Sequence, residues 1–280
     1  MVIKRIPLRA IRKDFVQFLS IIMLVAIASM IYTLFAVSMD DISENYEAFI
    51  KSYIQEDGYF ITSKEIDEGL LEDKFGIVLE QRLYYEIRQD EIAMRIFSIA
   101  EEINKPYVGI GEMPKEREVL LDPGFFKSHG YQIGDEIIIS GQKFKVSGVG
   151  YLPDYIYIIK NDQDLLPDPD RFGVVMMLKS DVQRLFATPY VHYYSYKGQV
   201  DVKDLKNFIN SNWGLMKFVE RDKNPRIIYT EMKVENAKRI TLPISLFIII
   251  VSSFILFIVM SGNICSIDHI CSVQFDAQRE

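Results

Sequence analysis

The run FVQFLSIIMLVAIASMIYTLFAV, residues 15–37, constrains everything else this chain can do. No charge falls between Asp14 and Asp40. At about 1.5 Å per residue the run makes a helix of about 35 Å, enough to cross a hydrocarbon core of about 30 Å. Its polar side chains, Gln17, Ser20, Ser29 and Thr33, are small or near an end. A secretory signal peptide is the rival reading. Lys4, Arg5, Arg9, Arg12 and Lys13 make a basic n-region, and Ala26-Ile27-Ala28 has small-x-small spacing. The apolar run continues past Ala28 to Val37, which is long for such a segment and favours an uncleaved transmembrane helix. The basic residues then stay in the cytoplasm and the chain after the span lies outside. Residues 1–14 are either an amphipathic helix on the membrane surface or a plain positive-inside flank.

A second uncharged run follows Arg239, and TLPISLFIIIVSSFILFIVM within it is long enough to span again. Pro243 near its start either opens a new helix or kinks a continuous one. Each run adjoins a helical pattern. Ile42, Tyr46, Phe49, Ile50 and Tyr53 recur at three- and four-residue steps after the first, with Gly58 as the stop. Ile227, Thr230, Val234, Ala237 and Thr241 do the same before the second. The expected layout is a basic segment 1–14, a span 15–37, a stalk 38–57, an α+β lobe 58–160, a second lobe 161–225, a stalk 226–240, a span 241–261 and a cytoplasmic tail 262–280. The fold class expected is an α+β extracytoplasmic domain of two lobes between two transmembrane helices with helical stalks.

Inside the domain, strands are expected at 59–62, 77–79, 83–87, 94–100, 119–121, 136–140, 144–149 and 155–159, with helices at 65–75 and 123–129. Gly141 between the Ile137 and Val146 runs predicts a hairpin. The segment NDQDLLPDPDR at 161–171 is a loop. Its carboxylates lack the spacing, glycine and closing glutamate of an EF-hand, so it reads as solvated. Strands at 173–178, 190–196 and 214–218 and helices at 180–187 and 202–210 complete the second lobe, with Ser180 as an N-cap. His192 and the tyrosines around residue 193 are expected to pack across a sheet.

The net charge of −7, with its one dense basic cluster before the first span, argues against a nucleic-acid partner. Cys265 and Cys271 are the only cysteines, so the segment 40–239 holds no disulfide. Their spacing is not a zinc pattern, and free thiols are the expectation. No Walker A, G-x-S-x-G or H-E-x-x-H motif is present, and Gly109-Ile110-Gly111 lacks the rest of a dinucleotide loop. No enzyme activity, cofactor or metal is expected.

Ile110-Gly111-Glu112-Met113-Pro114 followed by Glu118-Val119-Leu120-Leu121-Asp122 resembles the G-R-x-P…E-x-x-L-D segment of the extracytoplasmic domain of FtsX/MacB-type ABC transporter permeases. Ile133-Gly134-Asp135-Glu136-Ile137 is similar to that domain's VGD-x-I hairpin, and Val146-Ser147-Gly148-Val149 with Pro153-Asp154-Tyr155-Ile156-Tyr157 to its V-x-G-V…P-D-Y-x-Y segment. Arg9-Ala10-Ile11-Arg12-Lys13-Asp14 and Leu242-Pro243-Ile244 resemble the family's lead-ins to its spans. The resemblance covers nearly all of residues 1–260. It implies a permease subunit, or its N-terminal half, working by mechanotransmission in the cell membrane. A cytoplasmic ABC ATPase would bind ATP and move the extracytoplasmic domain, and a second permease subunit or permease half would complete the assembly. Lipids, lipoproteins or peptides would be the cargo. Gly111, Pro114, Glu118, Asp122, Gly134, Asp135, Gly148, Pro153, Asp154, Tyr155 and Tyr157 would be structural motif positions. The tail SGNICSIDHICSVQFDAQRE departs from the family's charged coupling segment, which suggests a truncated or split permease. The alternatives are an ATP-independent membrane-anchored binding, scaffold or cell-wall-hydrolase-regulating protein, and a non-functional permease fragment.

Overall fold

The computed structural model describes residues 15–186 and 191–276. The expectations on 1–14 and 277–280, the end of the helix at 187 and the start of the strand at 190 lie outside the described residues. Contacts divide the chain into two units, one of them residues 46–233. The described parts of two long helices, up to residue 45 and from residue 234, belong to the other.

Helix α1, Phe15–Ser52, is one continuous helix of 38 residues that carries the first apolar run and the predicted stalk together. By length and composition its Val25–Ser52 portion can cross a membrane. The helix ends before residue 57, short of the expected boundary. Ile54 takes φ 50, costly for a β-branched residue. The turn at Asn104 explains the stop. The Lys105 N–H donates to the Tyr53 carbonyl, the Asn104 N–H to the Ile54 carbonyl, and the Glu56 N–H to Asn104 Oδ1. The other long helix, α6 (Pro225–Asp276), runs through Pro243 without a break. Among its described residues it contributes a shorter apolar stretch, Leu246–Ile255.

Among the described residues eleven strands form two sheets. In chain order they are β1 (Gly58–Thr62), β2 (Val78–Arg82), β3 (Tyr84–Gln89), β4 (Ile92–Ser98), β5 (Tyr107–Gly111) and β6 (Glu118–Leu121). Then come β7 (Glu136–Ile139), β8 (Gln142–Tyr151), β9 (Phe172–Met177), β10 (His192–Lys197) and β11 (Leu215–Glu220). The smaller sheet is antiparallel with order β11-β1-β10-β2. The larger is mixed, with order β3-β4-β9-β6-β8-β5 and β7 beside β8; β4/β9 and β6/β8 are its parallel pairs. Sheet membership therefore does not divide at residue 160. β1 and β2 pair with strands from the C-terminal third, and β9 sits in the middle of the larger sheet. The physical reason is that β9 is apolar throughout, all six residues buried, and needs a strand on both sides and cover on both faces.

Short helices cover the outer faces. They are α2 (Glu68–Phe75), α3 (Pro123–Ser128), α4 (Lys179–Leu185) and α5 (Val202–Trp213). Phe125 of α3 and Val182 of α4 pack with Met94, Ile96, Val119, Leu121 and Val175 of the larger sheet. Leu71 of α2 with Leu205 and Ile209 of α5 pack with Phe60, Leu79, Tyr194 and Tyr196 of the smaller. The alternate residues of the same strands form a third layer, Tyr59 and Tyr193 against Ala93, Phe97, Leu120, Val174 and Met176. Local chemistry explains the caps. Asp67, Asp122 and Asp201 accept from first-turn N–H groups of α2, α3 and α5. The α4 cap is Leu178 with no side-chain bond, not Ser180. Ser140-Gly141, at φ 48 and 78, closes the two-residue hairpin between Ile139 and Gln142 as expected. Residues 155–159 are not a strand. The Tyr155 N–H donates back to the Leu152 carbonyl, closing a turn over Pro153-Asp154 that takes the chain off the sheet.

Candidate functional site

The alternation that builds the middle layer also places charge in it. Arg95 lies in the apolar strand IAMRIFS, two residues from Ala93 and from Phe97, so it points into the same layer. Arg82 ends β2 and Ser195 follows Tyr193 by two in β10, with the same result. Gln55 and Glu56 enter from the end of α1, and Arg226 from the first turn of α6.

These groups are joined by the segment 153–157. Asp154 takes both Arg82 Nη atoms, at 2.7 and 3.3 Å, and neither partner is more than 1% exposed. Glu56 Oε2 accepts from Ser195 Oγ at 2.6 Å and Asn104 Nδ2 at 2.8 Å, with Arg82 Nη2 at 3.5 Å. Arg82 also lies over the Phe97 and Tyr193 rings. The Tyr155 hydroxyl accepts from Arg95 Nη1 at 2.9 Å and from Arg226 Nη1. Arg95 is completed by Glu86 at 2.6 Å and the Lys160 carbonyl at 2.9 Å.

The same segment holds the roots of both long helices within the 46–233 unit. The Pro153 carbonyl accepts from Gln55 Nε2 at 2.7 Å. Gln55 Oε1 accepts from Arg221 Nε, and Arg221 pairs with Glu231 of α6. Tyr157 donates to the Leu165 carbonyl, meets Tyr229 edge-on, and has Lys233 over its ring at 4.2 Å. One short irregular segment thus bonds to Gln55 just after α1, to the start of α6 and to both sheets. A displacement of either root must break or drag these bonds, since buried charge-assisted bonds are costly to leave unmade.

Burial pushes the Glu56 carboxyl up to about 7, with the charge of Asp154 adding to the effect against the opposing pull of Arg82. Glu56 Oε1 is buried without a hydrogen-bond partner, which suits a protonated acid. Among the described residues no three His, Cys, Asp or Glu side chains gather to hold a metal ion. The cluster is built to hold and couple elements.

No protein-family model matches the chain, and no curated protein does. Of the predicted motif positions, Pro153, Asp154, Tyr155 and Tyr157 come together at the network. The others shape the larger sheet. Gly111 and Gly148 are where β5 and β8 approach so closely that a Cβ would sit 2.3 Å from the Ser147 carbonyl oxygen or 2.4 Å from that of Ile110. Pro114 is buried, and Glu118 accepts from the Lys115 N–H. Asp122 caps α3 and also accepts from the Val174 N–H at 2.7 Å, tying α3 to β9. Gly134, at φ 99, and Asp135, which accepts from the Gln132 N–H, make the turn before β7. Sequence reasoning missed Glu56, Arg82, Arg95, Asn104 and Arg226. The available signal was a charge set among strand apolars, as in Met94-Arg95-Ile96.

Proposed function

We propose that this chain is a membrane-anchored coupling subunit of the FtsX/MacB permease type, in which movement of the two long helices is transmitted to the 46–233 domain. The observation that carries the reading is that residues 153–157 bond to both sheets, to the start of α6 and, through Gln55, to the segment that follows α1. The motif likeness at these residues points the same way, and α1 supplies a helix apolar and long enough to anchor in a bilayer. In this reading α6 crosses the membrane as the second span, and the N-terminus is cytoplasmic. The energy comes from ATP bound by a cytoplasmic ABC ATPase partner, and a second permease subunit or half completes the assembly. The cargo is a lipid, lipoprotein or peptide.

The test is affinity capture of the full chain from nonionic detergent. Co-recovery of an ATP-binding-cassette subunit, with ATPase activity that changes when this chain is present, is expected. Recovery of neither an ATPase nor a second permease chain counts against transport and leaves the membrane-anchored scaffold.

A further inference from the structure

Beside the network the middle layer opens into a cleft of about 270 Å³ walled by Tyr59, Tyr155 and Tyr193. Arg95, Lys217 and Arg226 face it. Two of these cations are neutralised locally, Arg95 by Glu86 and Lys217 by Asp162 at 2.8 Å. Arg226 is not. It is 4% exposed, and among the described residues no carboxylate oxygen lies within 4.0 Å of its nitrogens. Its Nε donates to Asn224 Oδ1 and its Nη1 to Tyr155, but Nη2 has no partner. Its guanidinium stacks 3.9 Å from the Tyr155 ring centroid, where it shares one phenol oxygen with a second guanidinium, that of Arg95. It also stands in the first turn of α6, where the helix dipole disfavours a cation. A buried, half-satisfied arginine beside a second cation and at the positive end of a helix has no carboxylate at contact distance, and the acids whose charge it feels, Asp154, Glu56 and Asp162, stand farther off.

We propose that this cleft binds an oxyanion, a carboxylate or phosphate group of an organic ligand, with the guanidinium of Arg226 as its principal anchor and Lys217 at the mouth. Arginine's fork suits either group, and the tyrosine walls suit an apolar or aromatic body behind it. The proposal does not depend on an ATPase partner, since it concerns binding by this chain alone.

The test uses the full chain in nonionic detergent free of anionic lipid. Calorimetric and thermal-shift titrations are run with inorganic phosphate, acetate and phenyl phosphate, each against chloride at equal ionic strength. A saturable rise in melting temperature with phosphate or acetate is expected, and the stronger of the two names the group. Phenyl phosphate should bind roughly threefold or more tighter than phosphate if the aromatic walls contribute. Arg226→Gln should weaken binding about tenfold or more. Lys217→Gln, a partly exposed position, keeps the test decisive if the arginine variant does not fold, and should weaken binding roughly threefold. Asp162→Asn removes the competing carboxylate and should tighten binding, an outcome that a purely structural role for Lys217 does not produce. No saturable effect with any probe, or an effect unchanged in the Lys217 and Asp162 variants, overturns the site.

Discussion

At the residue scale the fold depends on a few buried charges. Among the described residues Arg82 alone balances Asp154 at contact distance, and neither can reach water. Asp154→Asn leaves the guanidinium buried and half-paired, and should cost about 3–5 kcal/mol in denaturant unfolding. A loss under 1 kcal/mol would mean that the charge is not desolvated as described. Glu56 sets a pH dependence. Its folded value of about 7 lies above the ordinary 4.5, so the folded chain holds a proton that the unfolded chain releases between those limits. Stability should therefore fall as pH rises from about 4.5 to 7 and level off above. Asp122, pushed up to about 6 by burial, adds a slope of the same sign at lower pH. Glu56→Gln mimics the protonated acid and should flatten the upper part of this curve; equal slopes in both proteins would remove Glu56 as the cause. Asp154 and Tyr155 were legible as a motif, but their partners were not. A lone arginine in a strand carries no mark of which face it takes until the strand's neighbours are known.

At the scale of elements, local chemistry read well wherever the local signal was sufficient. Gly141 closed its hairpin, Pro123 opened α3 at the first helical position, and the first apolar run became a helix. The misreadings have tertiary causes. α1 stops at Ser52 because the turn at Asn104 takes the next two carbonyls, those of Tyr53 and Ile54, and residues 155–159 leave strand geometry because the Tyr155 N–H is spent on a turn to the Leu152 carbonyl. β5 was missed because two glycines in YVGIG weaken its strand signal; the second, Gly111, is there because β8 runs so close. Gly148→Ala should then push β5 off the sheet edge and cost about 1–3 kcal/mol, with amide exchange rising first at residues 107–111. Unchanged protection there would show that the edge yields without cost. A Gly-Pro insertion near Ser43 of α1 should leave the chain in the membrane while abolishing any partner-dependent activity. Activity surviving the break would reduce α1 to an anchor.

For the whole molecule, the mixed α and β character was evident from alternating periodicities, and the division of strands between sheets was not. Pairing across more than a hundred residues leaves no local trace, so the linear split at residue 160 followed the acidic loop instead of the sheets. Membrane attachment is the property of the whole chain most open to direct measurement. The full chain should remain in the membrane pellet after alkaline carbonate extraction, and its release into the supernatant would remove α1 as a span.

The pairing of β1 has a further consequence during synthesis. This strand follows α1 directly, yet both its neighbours, β10 and β11, are made last. Until residue 220 has emerged, β1 has at least one open edge, and until β10 arrives it has two. The larger sheet is complete by Met177, but the smaller one cannot close until residue 220. β1 must wait, unpaired, for nearly the whole domain to be delivered, which makes a stalled or clipped chain prone to pair with another copy.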